Sequence, residues 1–138
     1  VEDGDYLPNI PKHSFKVRAV YKPEPAWYLG ATMTAFASSY MMGNENQEQN
    51  PSVNGLRSEV PGYAVVNLDS EYNFSDMLAG WKIYAKVTNL FDNKYYTGGR
   101  IAESRVNADR SFSDDEIATS SMVAGSPRAG WVGLRYEF

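Results

Sequence analysis

The chain has 138 residues, 43% of them hydrophobic and 22% charged, which suits one ordered unit rather than a disordered segment. A net charge of −4 without a dense run of Lys or Arg excludes the basic stripe that a nucleic-acid partner requires, and the absence of cysteine removes disulfide scaffolds, thiolate metal sites and cysteine nucleophiles. Aromatic residues make up 14%, with ten Tyr and three Trp, a bias toward strands and toward water–lipid boundaries.

Val1 to Asp5 is acidic and no apolar core follows, so no secretory signal is read at this end; either one was removed or this is not a natural N-terminus. Ser14 to Lys22 then alternates with period two, placing Phe15, Val17, Ala19 and Tyr21 on one face and Lys16, Arg18, Val20 and Lys22 on the other, and Pro23-Glu24-Pro25 is expected to end the strand. The stretch from Pro25 to Asn44 carries no charge and is long enough for a membrane helix. Its interleaved hydroxyl and small residues, without basic flanks, favour a strand over Trp27 to Met41 instead. A polar loop runs from Gly43 to Pro61. Tyr63 to Phe74 forms the third strand and Trp81 to Thr88 the fourth, joined by the short connection Ser75 to Gly80. A long polar loop is expected from about Asn89 to Gly125, and Gly130 to Phe138 is the fifth strand.

With each strand's phase chosen this way, one face is free of charge. The other gathers Lys16, Arg18, Lys22, Lys82, Lys86 and Arg135 against Asp69, Glu71 and Glu137. Connections alternate between short and long, as in transmembrane barrels with brief periplasmic turns and long extracellular loops. The aromatics Tyr21, Trp27, Tyr72, Trp81, Tyr136 and Phe138 fall on the uncharged face at strand ends beside the short turns or the C-terminus, forming a girdle at one interface. The expected fold class is all-β: an antiparallel up-and-down meander of about five strands of the transmembrane-barrel kind, which the resemblance below makes the C-terminal segment of a large barrel.

Three runs carry a family resemblance: Pro61-Gly62-Tyr63-Ala64-Val65-Val66-Asn67-Leu68, then Ala85-Lys86-Val87-Thr88-Asn89-Leu90-Phe91-Asp92-Asn93-Lys94-Tyr95-Tyr96, and Gly125-Ser126-Pro127-Arg128 followed by Trp131 to Phe138. In this order they resemble the C-terminal end of TonB-dependent outer-membrane receptors, the gated transporters for ferric siderophores, haem, cobalamin and some sugars. The resemblance implies a barrel of about 22 strands with a plugged lumen, of which residues 1–138 supply the last five. It further implies a Gram-negative outer-membrane location. The implied partners are outer-membrane lipid, the remainder of the barrel and its plug domain, TonB through a missing N-terminal part, the barrel assembly machinery, and a small-molecule ligand, iron–siderophore by base rate. No cofactor and no enzymatic activity are implied. Five strands alone would leave unpaired backbone edges in hydrocarbon.

On this resemblance Val132, Leu134, Tyr136 and Phe138 form the signal read by the assembly machinery, against the alternative of an ordinary edge strand ending in an aromatic. The charges on the second face either pair with plug residues or make a mildly positive inner wall that helps an anionic solute to pass. Tyr95, Tyr96, Arg100, Arg105 and Arg110 are candidate ligand-facing loop residues. Asp109, Asp114, Asp115 and Glu116 raise calcium, but their spacing fits no EF-hand and a solvated acidic loop explains them. His13 is the single histidine, Gly98-Gly99 lacks the surroundings of a phosphate loop, and no Gly-x-Ser-x-Gly elbow exists, so no metal or catalytic constellation is read. A passive porin-like barrel and a soluble all-β binding module with a sandwich core remain as alternatives.

Overall fold

A two-residue repeat commits each segment to a pleated conformation whose side chains alternate between faces, and the structure follows it closely. The computed structural model describes residues 7–43, 58–106 and 110–138. The strands in chain order are β1 (Ser14–Glu24), β2 (Trp27–Phe36), β3 (Ser39–Tyr40), β4 (Glu59–Val60), β5 (Tyr63–Asn73), β6 (Trp81–Thr88), β7 (Tyr96–Val106), β8 (Phe112–Ala124) and β9 (Ala129–Tyr136). A 3-10 turn at Asp76–Leu78 joins β5 to β6. The sheet β1-β2-β5-β6-β9 is an antiparallel meander, while β3–β4 and β7–β8 form two-stranded sheets. No helix among the described residues is long and apolar enough to cross a membrane.

The chain divides into two units. One comprises residues 14–35, 64–94 and 126–138 and holds nearly all of the five-stranded sheet. Here the register settles the phase that periodicity alone leaves free. Across β5 and β6 the opposed pairs alternate between Leu68↔Val87, Ser70↔Ala85 and Tyr72↔Ile83 on one face and Asp69↔Lys86, Glu71↔Tyr84 and Asn73↔Lys82 on the other. Across β6 and β9 the same alternation gives Trp81↔Tyr136, Ile83↔Leu134 and Ala85↔Val132 against Lys82↔Arg135, Tyr84↔Gly133 and Lys86↔Trp131. One face is therefore uncharged across consecutive strands. It is also uncovered: Tyr21, Val132 and Leu134 are 67%, 74% and 64% exposed.

The other unit comprises residues 7–13, 36–43, 58–63, 95–106 and 110–125. β3 and β4 pair through Ser39↔Val60 and Tyr40↔Glu59, and Met41, just beyond β3, is completely buried. Gly99 makes room for it, since a Cβ there would lie 2.9 Å from the Met41 sulfur. The Met42 N–H donates to the Gly99 carbonyl at 3.1 Å and the Ile101 N–H donates to Met42 at 2.8 Å, so the chain beyond β3 bridges to β7. Asn9 clips the same place, its side-chain oxygen accepting the Gly99 N–H at 2.8 Å.

Several boundaries differ from the sequence reading. β1 continues through Pro23 to Glu24, because a strand with a partner on only one side near its end tolerates a missing N–H. The expected strand Trp27 to Met41 breaks after Phe36, where the Ala37 N–H donates to the His13 carbonyl and the next short strand takes β4 as its partner. β5 stops at Asn73, one residue short of the expected Phe74, and the last strand spans Ala129 to Tyr136 rather than Gly130 to Phe138. The largest correction lies in the expected long loop. Most of it is the β7–β8 hairpin, 11 and 13 residues long with register shifts near each end of β7. Its Thr, Ile, Val and Tyr residues favour strand, but polar side chains on both faces erase the alternation that would have announced it.

Candidate functional site

The charged face of the sheet is organised around Gly30. Neighbouring strands lie about 4.8 Å apart, so β1 and β5, separated by β2, are about 9.6 Å apart. The Arg18 guanidinium crosses that gap over β2 and meets the Asp69 carboxylate with two parallel hydrogen bonds of 2.8 and 2.7 Å, while also donating to the Thr32 hydroxyl at 2.9 Å. Only a residue without a side chain permits this crossing: a Cβ on Gly30 would stand 2.6 Å from the guanidinium and 2.8 Å from the carboxylate. A second pair joins Lys82 to Glu137 at 2.8 Å. Four of the charges on this face are thus satisfied within the chain. The Arg135 guanidinium lies 6.0 Å from the centre of the Tyr84 ring, and that ring covers Gly133 where a Cβ would overlap it. Lys16, Glu71, Lys86 and Arg135 line a concavity of about 450 Å³ together with Tyr28 and Tyr84.

The opposite face concentrates its aromatics toward the 3-10 turn and the C-terminus. Trp81 and Tyr136 are cross-strand partners with ring centres 5.1 Å apart, Tyr136 meets Phe138 edge-on at 5.0 Å, and Tyr72 meets Phe74 edge-on at 5.2 Å. The Trp27 indole N–H donates to Ser70 at 2.9 Å. Of the expected girdle, Trp81, Tyr136 and Phe138 form one cluster. Tyr72 finds Phe74, a partner the sequence reading passed over, and Tyr21 stands exposed on β1. Val132 and Leu134 continue the same face of β9 opposite Ala85 and Ile83.

The run Asn89-Leu90-Phe91-Asp92-Asn93 turns out to be a hydrogen-bonded knot. Asn89 is 3% exposed and adopts a left-handed conformation with φ of 50°, as does Asp92 with φ of 53°. Its side-chain amide donates to the carbonyls of Asn93 and Ser126, both at 3.0 Å, and its side-chain oxygen accepts the Asn93 N–H at 3.0 Å. The Asn89 N–H is taken by the Asn67 side chain at 2.9 Å, Asn93 donates to Ala64 at 2.9 Å, and the Asp92 carboxylate accepts the Arg128 N–H at 3.0 Å. Three motif runs distant in sequence therefore meet at the ends of β5, β6 and β9. Asn is suited to the left-handed region because its short side chain bonds the local backbone.

The expected ligand-facing residues do not converge. Tyr95 is half-buried and stacked on Tyr63 at 4.4 Å, with Phe36 on the far side of Tyr63 at 5.2 Å, and its ring overlies Gly125. Tyr96 starts β7 and lines a cavity of about 220 Å³ with Asn9, Phe36, Val60 and Tyr63. Arg100 sits opposite Ser121, whereas Arg105 falls at the register shift about 17 Å further along β7 at 3.4 Å per residue. Arg110 is exposed with φ of 70°, just before β8. Asp114 is exposed; Asp109 lies outside the described residues, as do the side chains of Asp115 and Glu116. Among the described residues no cluster of His, Asp and Glu is arranged to hold a metal ion.

Residues 1–90 match the family model described as TonB dependent receptor-like, beta-barrel. No curated protein matches the chain. Among solved structures, the open form of the ferric-catecholate import receptor Fiu from E. coli K12 superposes with a TM-score of 0.61 at 18% identity, over 93% of this chain and 16% of the receptor. The closed form of Fiu gives 0.59 at 19% identity, over 93% of this chain and 14% of that one. At such identities the likeness is one of fold, and the chain spans about a sixth or less of either receptor.

Proposed function

Since the chain belongs to the TonB-dependent receptor β-barrel family, we propose that it forms the C-terminal wall of an outer-membrane active transporter whose lumen holds a plug and whose cargo is a scarce nutrient. The observation that carries this reading is the register, which lines up an uncharged face across consecutive strands, edges it with aromatics at one end, and leaves it exposed. A bilayer is the solvent such a face suits. A sandwich core would bury it, and among the described residues the buried hydrophobic side chains are Met41 and Val60 alone.

In this reading Tyr21, Trp27, Tyr72 and Trp81 mark the periplasmic boundary of the bilayer, and the long connections, including β7–β8, face outward. Val132, Leu134, Tyr136 and Phe138 serve as the signal read by the barrel assembly machinery. Lys16, Lys86 and Arg135 face the lumen, where the plug domain covers them. Tyr96, Arg100, Arg105 and Arg110 contribute to ligand contact on the outer side, with Tyr95 acting by packing. The protein is not an enzyme, and its energy comes from TonB through a segment outside residues 1–138. The cargo we propose is an iron–siderophore complex, the family's commonest, a choice in keeping with the fold likeness to Fiu, a ferric-catecholate import receptor by name.

The test uses the full-length receptor in intact cells with single cysteines and a membrane-impermeant maleimide. Thr119→Cys on β8 should label from outside, and Asp76→Cys in the 3-10 turn should label only after the outer membrane is permeabilised. Equal labelling of both would overturn the membrane topology. Uptake of a ferric catecholate that persists unchanged in a TonB-deficient strain would overturn the energised transport.

A further inference from the structure

Residues just beyond the end of a strand fray unless something ties them down. β9 ends at Tyr136, yet Glu137 stays paired to the neighbouring segment beyond it. Two contacts hold it: the Glu137 N–H donates to the Gly80 carbonyl at 2.9 Å, and the Glu137 carboxylate takes the Lys82 ammonium at 2.8 Å. Gly80 is shaped for this. It has φ of +92°, a conformation that residues with a side chain rarely adopt, and a Cβ there would lie 2.9 Å from the Glu137 carbonyl and 3.0 Å from the Tyr136 ring. The neighbours of Glu137 reinforce the pair, because Lys82 first and Arg135 behind it hold its carboxyl below the ordinary range.

We propose that Gly80, Lys82 and Glu137 form a clasp of positioning residues that fixes the register of the C-terminal strand, so that Tyr136 and Phe138 are presented together on the uncharged face to the assembly machinery. The proposal rests on the reading of that strand as an assembly signal. The physical reason is the period of two: a slip of one residue between β6 and β9 would turn Tyr136 and Phe138 onto the charged face and bring Arg135 and Glu137 onto the uncharged one. Trp81 favours the right register by packing on Tyr136, but it lies on the same face and gives Phe138 no anchor of its own beyond the edge-on contact with Tyr136. The ion pair on the opposite face supplies the anchor that aromatic packing lacks.

The test follows assembly of the full-length receptor into proteoliposomes with and without the purified barrel assembly machinery, scored by the shift in gel mobility of the unheated folded barrel. Glu137→Lys faces both Lys82 and Arg135 and should slow machinery-dependent assembly about two- to fivefold, the scale of a lost exposed ion pair. The exchange Lys82→Glu with Glu137→Lys should restore the wild-type rate. Unassisted folding into detergent micelles should be unchanged in all of them. Deletion of Phe138 is the control. If it leaves assembly intact, the signal reading fails and the clasp with it. If it blocks assembly while Glu137→Lys assembles normally, the signal stands and the clasp is wrong. Equal slowing of unassisted folding by Glu137→Lys, or failure of the exchange to restore the rate, also overturns the positioning role.

Discussion

Replacing Asn89 with Ala should be among the most damaging single changes in this segment. The side chain makes three hydrogen bonds, two donated to the carbonyls of Asn93 and Ser126 and one accepted from the Asn93 N–H, at a site 3% exposed. Each is worth about 1 kcal/mol net, and water has little access to replace them, which gives roughly 3 kcal/mol. Alanine must also adopt φ of 50°, which adds about 1 kcal/mol, so the expected total is about 4 kcal/mol. Asn89→Gly separates the two contributions: it keeps the hydrogen-bond loss and removes the backbone strain, so it should cost less than Ala. Asn89→Asp preserves the acceptor but turns a carboxylate on two carbonyls, and should be no better than Ala. The measurement is urea unfolding of the full-length receptor refolded in detergent, followed by tryptophan fluorescence. A loss below about 1 kcal/mol for Ala, or a Gly variant weaker than Ala, would refute the account of Asn89 as the centre of the knot.

Urea unfolding of receptor refolded into lipid vesicles checks the assignment of faces: Ala85→Arg, on the uncharged side of β6, should cost about 2–4 kcal/mol, while Lys86→Arg next to it should be nearly neutral. A double-mutant cycle of Arg18→Ala and Asp69→Ala should show a favourable coupling that vanishes in a Gly30→Val background, because the valine occupies the path of the guanidinium. The pH dependence of Glu137 has a definite sign. Its carboxyl is held below the ordinary 4.5 by Lys82, so the contribution is fully present above that value and is lost as pH falls through the lowered one. Wild type should therefore show an acid-side step in the thermal unfolding midpoint that Glu137→Gln lacks.

Much of the sheet was legible in the sequence because a strand's side chains must alternate, and a face that avoids charge over four short strands shows itself as parity. What parity cannot supply is the relation between strands. Leu68 faces Val87 and Trp81 faces Tyr136 because of register, which depends on turn geometry and pairing partners outside any one segment. The β7–β8 hairpin was missed for the converse reason: a strand polar on both faces carries no period to read. The glycines were visible as letters but silent as to role. Gly30 in a strand, Gly80 after a short turn and Gly133 opposite Tyr84 each mark a place where another group passes close to the backbone, and which group it is emerges only from cross-strand geometry. Tyr95 illustrates the remaining gap, since its stacking on Tyr63, far away along the chain, leaves no trace in the local residue pattern.

The family motif and the chemistry of the wall meet in one physical requirement. A strand that crosses a bilayer cannot leave backbone groups unpaired, yet the chain must also leave the strand and reverse direction. Placing a buried, fully bonded Asn89 and an Asp92 that grips the Arg128 backbone at the ends of β5, β6 and β9 closes the paired region where the strands end. The ends of β5, β6 and β9 are thereby held by contacts made among themselves. On that argument the motif secures strand ends rather than contacting a solute. Its loss should loosen β5, β6 and β9 together, read as faster amide hydrogen exchange in all three strands.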